Sequence, residues 1–148
     1  MNVADIIGQF KSGKASARSH MRNLIEIAAA DGGFGFEEQR LLEHAALRNN
    51  ISLAQLKDIQ ENPSASRFMV PSGNREKFYQ LYDLVHMMSV DNNVHSEEIR
   101  LCEIFALKFG YRKEVVGEMI DMIRQNIEQW TGAKETMEAV VTRLKIYE

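Results

Sequence analysis

Two stretches of this sequence repeat each other at a separation of 60 residues, residues 24–50 aligning with residues 84–110. The first-copy residues that keep their type in the second copy are Leu24, Asp31, Glu37, Glu38, Arg40, Leu41, Glu43, Ala46 and Leu47. A duplicated supersecondary unit can bury its apolar face against its own copy. The repeat therefore predicts one pseudo-two-fold domain rather than two separate domains.

Apolar residues recur at spacings of three and four along most of the chain, which is typical of amphipathic helices. Examples are Met21, Leu24 and Ala28 in the first copy and Leu81, Leu84 and Met88 in the second. No segment alternates strictly between apolar and polar residues, as a half-buried strand would. We therefore predict an all-α fold, a single compact domain of about seven to eight helices that contains two pseudo-symmetric helix–acidic turn–helix units.

The boundaries follow from the breakers and the candidate caps. Repeat one is predicted at about 16–61 and repeat two at about 74–129, with a C-terminal helix at about 131–147. Both prolines of the chain fall in the linker 62–73 between the repeats. Ser52 and Thr131 are candidate N-caps. We expect Phe68, Met69 and Val70 in the linker, and Trp130 at the end of a helix, to pack against the helices. If the three linker residues are exposed instead, they form an apolar patch suited to a partner.

Charge and composition exclude some classes of function. A formal net charge of −3 argues against a general nucleic-acid or anionic-membrane surface, since both partners require basic proteins. The local basic cluster of Lys11, Lys14, Arg18, His20 and Arg22 is interpreted as a solvated face. No apolar run has the length of a signal peptide core or a bilayer span, which predicts a cytoplasmic protein without membrane insertion.

The single cysteine, Cys102, leaves no partner for an intrachain disulfide and excludes a thiolate-rich zinc site. It shares a helical stripe with Phe105, and we interpret it as a buried core thiol.

Each repeat carries an aspartate, then five residues, then a Glu-Glu pair that opens the next helix. Helical spacing places Asp31 and Glu38, and their equivalents Asp91 and Glu98, on the inward-facing stripes. Glu37 and Glu97 are rotated away and should face solvent. An aspartate at a helix C-terminus meets a negative dipole end, so some group must compensate its charge.

Two interpretations of these carboxylates remain open. In the structural one, Glu38 and Glu98 lie at the third helical position and reach back to the N-cap N–H, while each aspartate accepts hydrogen bonds within its turn. In the other, Asp31, Glu38, Asp91 and Glu98 bind a divalent cation. Oxygen ligands favour Ca²⁺, Mg²⁺ or Mn²⁺ over Zn²⁺, although His86 and His95 flank the second turn and could add nitrogen ligands.

The run Ala28-Ala29-Ala30-Asp31-Gly32 followed by Glu37-Glu38 resembles the motif of the tellurite-resistance TerB-like family, and Asp91 to Glu98 resembles it again. The resemblance covers about residues 20–125. It implies an all-helical fold, divalent-metal binding by acidic residues, and a place among stress-response proteins, including domains attached to J-domain co-chaperones. The Ser or Thr cap that the family carries before the Glu pair is Gly35 in the first copy and His95 in the second.

The leading hypothesis is therefore a non-enzymatic TerB-like stress-response domain that binds a divalent metal through its duplicated acidic turns. The alternative is a protein-interaction module in which the same carboxylates are purely structural. A metal-dependent hydrolase is the weaker alternative, because the chain has no Gly-rich phosphate loop and no nucleophile with an evident base. The expected partner is another protein, and the sequence does not fix the oligomeric state.

Overall fold

The computed structural model of the protein describes residues 3–30, 35–90 and 94–147. Over these residues the chain forms seven α-helices and one 3₁₀ turn, with no strand. The helices are α1 (Val3–Ala29), α2 (Phe36–Arg48), α3 (Leu53–Glu61), α4 (Asn74–Ser89), α5 (Ser96–Lys108), α6 (Lys113–Glu128) and α7 (Ala133–Leu144), and the 3₁₀ turn is Pro63–Ala65. The all-α prediction is confirmed. The first helix begins at Val3, well before the predicted start of repeat one.

Helices α1 and α4 pack against each other at the centre of the molecule. Their contact faces carry large apolar side chains without solvent exposure, among them Met21 and Leu24 on α1 and Leu81 and Leu84 on α4. Each such side chain stabilises the fold by about 1.5–3 kcal/mol through removal from water. The buried apolar residues of α1 through α7 form one cluster, so both repeats share the same core.

The contacts between helices follow the 60-residue repeat. Helix α1 packs on α2 and α3 as α4 packs on α5 and α6. The contacts between the two units correspond in the same way, since α2 touches α4 and α5 touches α1. The pattern of contacts is therefore the same when α1 is exchanged with α4, α2 with α5 and α3 with α6, which is the pattern that the repeat predicts.

The helices α2 and α5 end in the same backbone turn. Asn50 and Gly110, which are equivalent in the repeat, both have positive φ, at 59° and 99°. In each case the following residue donates back into the helix: Ile51 N to Ala46 O at 2.8 Å, and Tyr111 N to Ala106 O at 3.2 Å. These bonds are those of a Schellman C-cap, whose left-handed residue is best filled by glycine or asparagine.

A third turn of this kind ends α6, and it corrects the expectation for Trp130. Trp130 takes the left-handed position with φ 61°, and Thr131 N donates to Asn126 O at 2.8 Å. The indole is 95% exposed instead of packed. The prediction that Trp130 packs at the helix end was wrong, because the left-handed backbone directs this side chain away from the helix it terminates.

The sequence predictions for the linker and the helix caps are confirmed at some residues and wrong at others. Ser52 caps α3 in a full capping box with Gln55, as predicted. The N-cap of α7 is Gly132 rather than Thr131, and no side-chain hydrogen bond caps that helix. Phe68 stacks on Phe105 and Phe109 with centroid distances of 6.2 Å to each ring, so its predicted packing is confirmed. Met69 is partly buried, and the prediction was wrong for Val70, which is 42% exposed.

Candidate functional site

The Glu-Glu pairs open α2 and α5 as the sequence predicts. Glu38 and Glu98 are buried at 8% and 4% exposure, whereas Glu37 and Glu97 are exposed. Both buried glutamates are the third residue of their helix, after the N-caps Gly35 and His95. The helical phase of the two pairs is thus the one inferred from the apolar stripes.

Glu98 acts as a helix cap. Its Oε1 accepts a hydrogen bond from the backbone N–H of His95 at 3.1 Å, which satisfies one of the donors that a helix N-terminus leaves free. Glu38 lies over its own N-cap so closely that a Cβ on Gly35 would stand 2.7 Å from Glu38 Oε2. Glycine at position 35 therefore allows the buried carboxylate to fold back over the helix start.

The aspartates of the predicted metal site, Asp31 and Asp91, lie outside the described residues. Among the residues that are described, no three His, Cys, Asp or Glu side chains are grouped so as to hold a metal ion, and this set contains neither aspartate. Binding of a divalent cation by Asp31, Glu38, Asp91 and Glu98 stays a prediction. The capping bond of Glu98 supports the structural interpretation for that residue.

Cys102 is a core thiol. Its side chain is fully buried, with Sγ 3.9 Å from the Sδ of Met88. Burial is the main cause that raises the pKa of this thiol, and the nearby carboxylates of Glu98 and Glu103 raise it further. A thiol held protonated in this way is a poor nucleophile and a poor metal ligand, so Cys102 is not a candidate for chemistry.

A polar cleft lies elsewhere, between the C-terminal end of α2, the middle of α1 and the N-terminal half of α4. This cleft has a volume of about 730 Å³. Its walls include His20 from α1, Arg48 and Asn49 from the end of α2, and Arg75, Gln80 and Asp83 from α4. The cleft is of the size that small ligands or a few residues of peptide occupy.

A buried ion pair joins the three walls of the cleft. His20 Nε2 lies 2.9 Å from Asp83 Oδ2, and the His20 side chain is fully buried. Arg48 Nη2 lies 3.4 Å from Asp83 Oδ1 on the solvent side, with the arginine side chain half exposed. Asp83 thus binds α1 and the end of α2 to α4, and its position depends on both partners.

The charge state of Asp83 follows from these contacts. Burial alone would raise its pKa, but the hydrogen bond from His20 and the positive charges of His20 and Arg48 outweigh burial, so the pKa of Asp83 lies below its usual value. Asp83 is therefore ionised at neutral pH. Its charge is balanced inside the protein by His20 and Arg48.

Two polar atoms belonging to residues of the cleft are buried without a hydrogen-bond partner among the described residues, His20 Nδ1 and Gln80 Oε1. Gln80 is 8% exposed and uses its Nε2 to donate to Ser16 Oγ at 3.2 Å. Gln80 Oε1 is an acceptor, whereas the Nδ1 of a positively charged His20 carries a proton and is a donor. Buried polar groups nearly always have a partner, and an exception points to strain, water or a ligand.

The outer part of the cleft carries more positive than negative charge. Lys14, Arg48 and Arg75 stand against Glu76 and Asp83. Arg75 is exposed and forms no ion pair within the described ranges 3–30, 35–90 and 94–147. With Asp83 already balanced by His20 and Arg48, the field at the mouth of the cleft favours an anionic group.

The sequence did not identify this cleft, although a signal was present. His20 lies four residues before Leu24 and seven before Ile27, and Asp83 lies four before Met87, so both polar residues sit on buried stripes. The interpretation of His20 as part of a solvated basic face was wrong, because the helical phase turns it inward towards Asp83. A polar residue on an apolar stripe of each central helix was the available clue.

No protein-family model, no curated protein and no solved structure matches this chain. The resemblance to the TerB-like family therefore rests on the short acidic motif alone. Over the described residues, no helix is long and apolar enough to cross a membrane.

Proposed function

We propose that this protein is a non-enzymatic binding domain that holds an anionic group of its ligand in the cleft between α1, the end of α2 and α4. The observation that carries the proposal is the position of Arg75, which is exposed and has no ion pair in the described residues, at a cleft whose carboxylate, Asp83, is already paired with His20 and Arg48. A ligand with a carboxylate or phosphate group would complement this positive charge.

The absence of catalytic function is part of this proposal. His20 and Asp83 resemble a general base and its orienting carboxylate. The Nε2 of His20, however, is bonded to Asp83, and the Nδ1 of His20 is buried. A general base must come within hydrogen-bond reach of the proton that it removes. His20 is better suited to fix the position of Asp83, and through it Arg48, than to transfer a proton to a substrate.

Thermal unfolding in the presence of succinate tests the proposal. A ligand that binds only the folded state raises Tm in proportion to its binding, up to about 2.7 kcal/mol of stabilisation at 100 times Kd. We expect a saturable rise for the wild type that Arg75→Glu removes. Lys57→Glu is the matched control, because Lys57 is exposed on α3 outside the cleft and its replacement makes the same change in charge.

An equal rise in Arg75→Glu and Lys57→Glu would overturn the proposal, since it would show a general effect of the anion. No rise in the wild type with succinate would overturn it as well. Circular dichroism of each variant before titration establishes that the fold is retained.

A further inference from the structure

The linker between the repeats lies in the space that is equivalent to the cleft. Arg75 and Tyr79 of α4 line the cleft, and the 60-residue repeat makes Ala15 and Ser19 of α1 their equivalents. Ser19 Oγ accepts a hydrogen bond from Met69 N at 2.8 Å. The side of α1 that corresponds to this wall of the cleft is therefore in contact with the linker.

A pocket of about 440 Å³ remains between α1 and the linker, and we call it the linker pocket. Its α1 wall consists of Ala15 and Arg18, and its linker wall consists of residues 65–69. A volume of this size lies in the range of small-molecule sites.

The fold holds the linker wall of this pocket in place. Ser66 O accepts a hydrogen bond from Arg22 Nη1 at 3.0 Å, and Met69 N is bonded to Ser19. Between these two residues, Phe68 stacks on the rings of α5 and of the turn that follows it. The position of the linker wall relative to α1 is thus set by contacts within the chain.

Two arginines line the linker pocket, and its lining among the described residues contains no carboxylate. Arg18 is half-buried and Arg67 is exposed. Neither side chain forms an ion pair or a hydrogen bond within residues 3–30, 35–90 and 94–147. Two positive charges at one pocket repel each other, and an anion bound beside both of them offsets this repulsion.

Ser66 brings a hydroxyl group to the same pocket. The residue is 5% exposed, and its backbone groups are already bonded, the N–H to Pro63 O at 3.2 Å and the carbonyl to Arg22. The hydroxyl itself has no hydrogen-bond partner in the part of the chain that the structure describes. Buried polar groups nearly always have a partner, and a hydroxyl is able to donate to an oxyanion.

From the convergence of Arg18, Ser66 and Arg67 we propose that the linker pocket binds the phosphate group of a small molecule. The site is separate from the cleft and does not depend on the proposed function. A phosphate monoester has a charge of about −1.5 to −2 near pH 7 and three strong acceptor oxygens, and arginine binds such oxygens in pairs. A carboxylate brings one charge and two oxygens, so it uses fewer of these donors.

The remaining walls of the pocket indicate that the phosphate belongs to an organic molecule. Ala15, Ala65, Phe68 and Met69 line it beside the two arginines. An organic group bound to the phosphate would remove part of this apolar surface from water. A phosphate ester should therefore bind more tightly than inorganic phosphate.

A chemical-shift titration of the full chain with inorganic phosphate, and then with phenyl phosphate, tests this inference at constant pH and ionic strength. We expect saturable shifts at the backbone amides of Ala15, Ser66 and Phe68, which line the pocket, with a lower Kd for phenyl phosphate. Succinate at the same concentration should not shift these pocket amides.

Two pairs of variants identify the donors. Arg67→Glu should weaken binding of both phosphates at least about tenfold, whereas Lys57→Glu makes the same change in charge on α3, outside the pocket, and should retain it. Ser66→Ala should weaken binding by about tenfold through loss of one bond to a charged group. Its control is Ser64→Ala, an exposed serine of the 3₁₀ turn outside the pocket.

The outcomes separate this inference from the proposed function. Shifts of the pocket amides that Arg67→Glu removes and Arg75→Glu leaves unchanged would support a site independent of the cleft. If both phosphates shift only amides of the cleft, the inference fails and the proposed function stands. Shifts that do not saturate, or that are equal in Arg67→Glu and Lys57→Glu, would overturn the inference as a general effect of the anion. Equal binding of succinate in the pocket would overturn phosphate as the ligand class.

Discussion

The ends of α2 and α5 hold equivalent places in the two units, but their surroundings differ. Both finish in a Schellman turn, at Asn50 and Gly110, and both carry a cation, Arg48 or Lys108. The end of α5 is covered by Phe68 of the linker, whereas the end of α2 faces an open polar cleft. The two units thus share this backbone turn, while only the end of α5 is covered by Phe68 of the linker.

The largest expected effect compares the buried polar residues at the two equivalent positions of α4 and α1. Asp83→Ala should lower the free energy of unfolding by about 3 kcal/mol, because it leaves His20 buried without its partner. Asn23→Ala should cost about 1 kcal/mol, since the Nδ2 of Asn23 has no partner to lose in the described part of the chain. Urea denaturation measures both values. Equal losses would show that the ion pair adds no stability to the first unit.

A metal at the acidic turns would act on both units instead of one. If Asp31 and Asp91 bind a cation, Ca²⁺, Mg²⁺ or Mn²⁺ added to chelator-treated protein should stabilise it by up to about 2.7 kcal/mol at 100 times Kd. The Asp31→Asn/Asp91→Asn double variant should lose this response, and thermal unfolding monitors it. A wild type that shows no rise, beside a double variant that simply melts earlier, would make the carboxylates structural.

The packing of the linker against the end of α5 can be tested at Phe68, the residue that anchors it. Phe68→Ala should cost about 2 kcal/mol, less than a fully buried phenylalanine, because the ring is only partly covered by Phe105 and Phe109. Val70→Ala is the control in the same segment. Val70 is 42% exposed and its truncation should change stability by no more than about 0.5 kcal/mol. A Phe68→Ala loss as small as that of Val70→Ala would mean that the linker is not anchored by its ring.

The response of stability to acid should also differ between the two units. The pKa of Asp83 in the folded state lies below the ordinary value of 3.8, because the hydrogen bond and charges of His20 and Arg48 outweigh burial. The stability that this shift supplies is present above pH 3.8 and is lost as the pH falls through the folded pKa. Asp83→Asn should abolish this part of the acid response, while Asn23→Ala should retain it. Unfolding curves collected from pH 6 downwards measure the difference, and identical acid profiles for the two variants would contradict it.

The smallest effect concerns the third Schellman turn. Trp130 has φ 61° and is 95% exposed, so it bears the cost of the left-handed conformation without gaining burial. Trp130→Gly should therefore stabilise the protein by about 0.5–1 kcal/mol. Gly110→Ala, at φ 99°, should destabilise it at the equivalent turn of α5. A loss of stability in Trp130→Gly would show that the indole makes a contact that matters.

The parts of the structure that depend on local pattern were predictable from the sequence. Helical periodicity and the repeat give the all-α fold and the inward phase of Glu38 and Glu98. The cleft depends on tertiary placement: His20 and Asp83 are 63 residues apart, and only the packing of α1 on α4 brings them together. The exposure of Trp130 follows from its own left-handed backbone conformation, which composition does not reveal.

A chemical-shift titration with succinate tests the central claim most directly, because it observes both equivalent spaces in one experiment. We expect saturable shifts at the backbone amides of Arg48, Asn49 and Tyr79, which line the cleft, and none at the equivalent Lys108, Phe109 and Ser19 beside the linker. Arg75→Glu should remove the shifts. Equal shifts in the two spaces, or no shifts around Arg48 at about 10 mM succinate, where a ligand of millimolar Kd is mostly bound, would contradict the account.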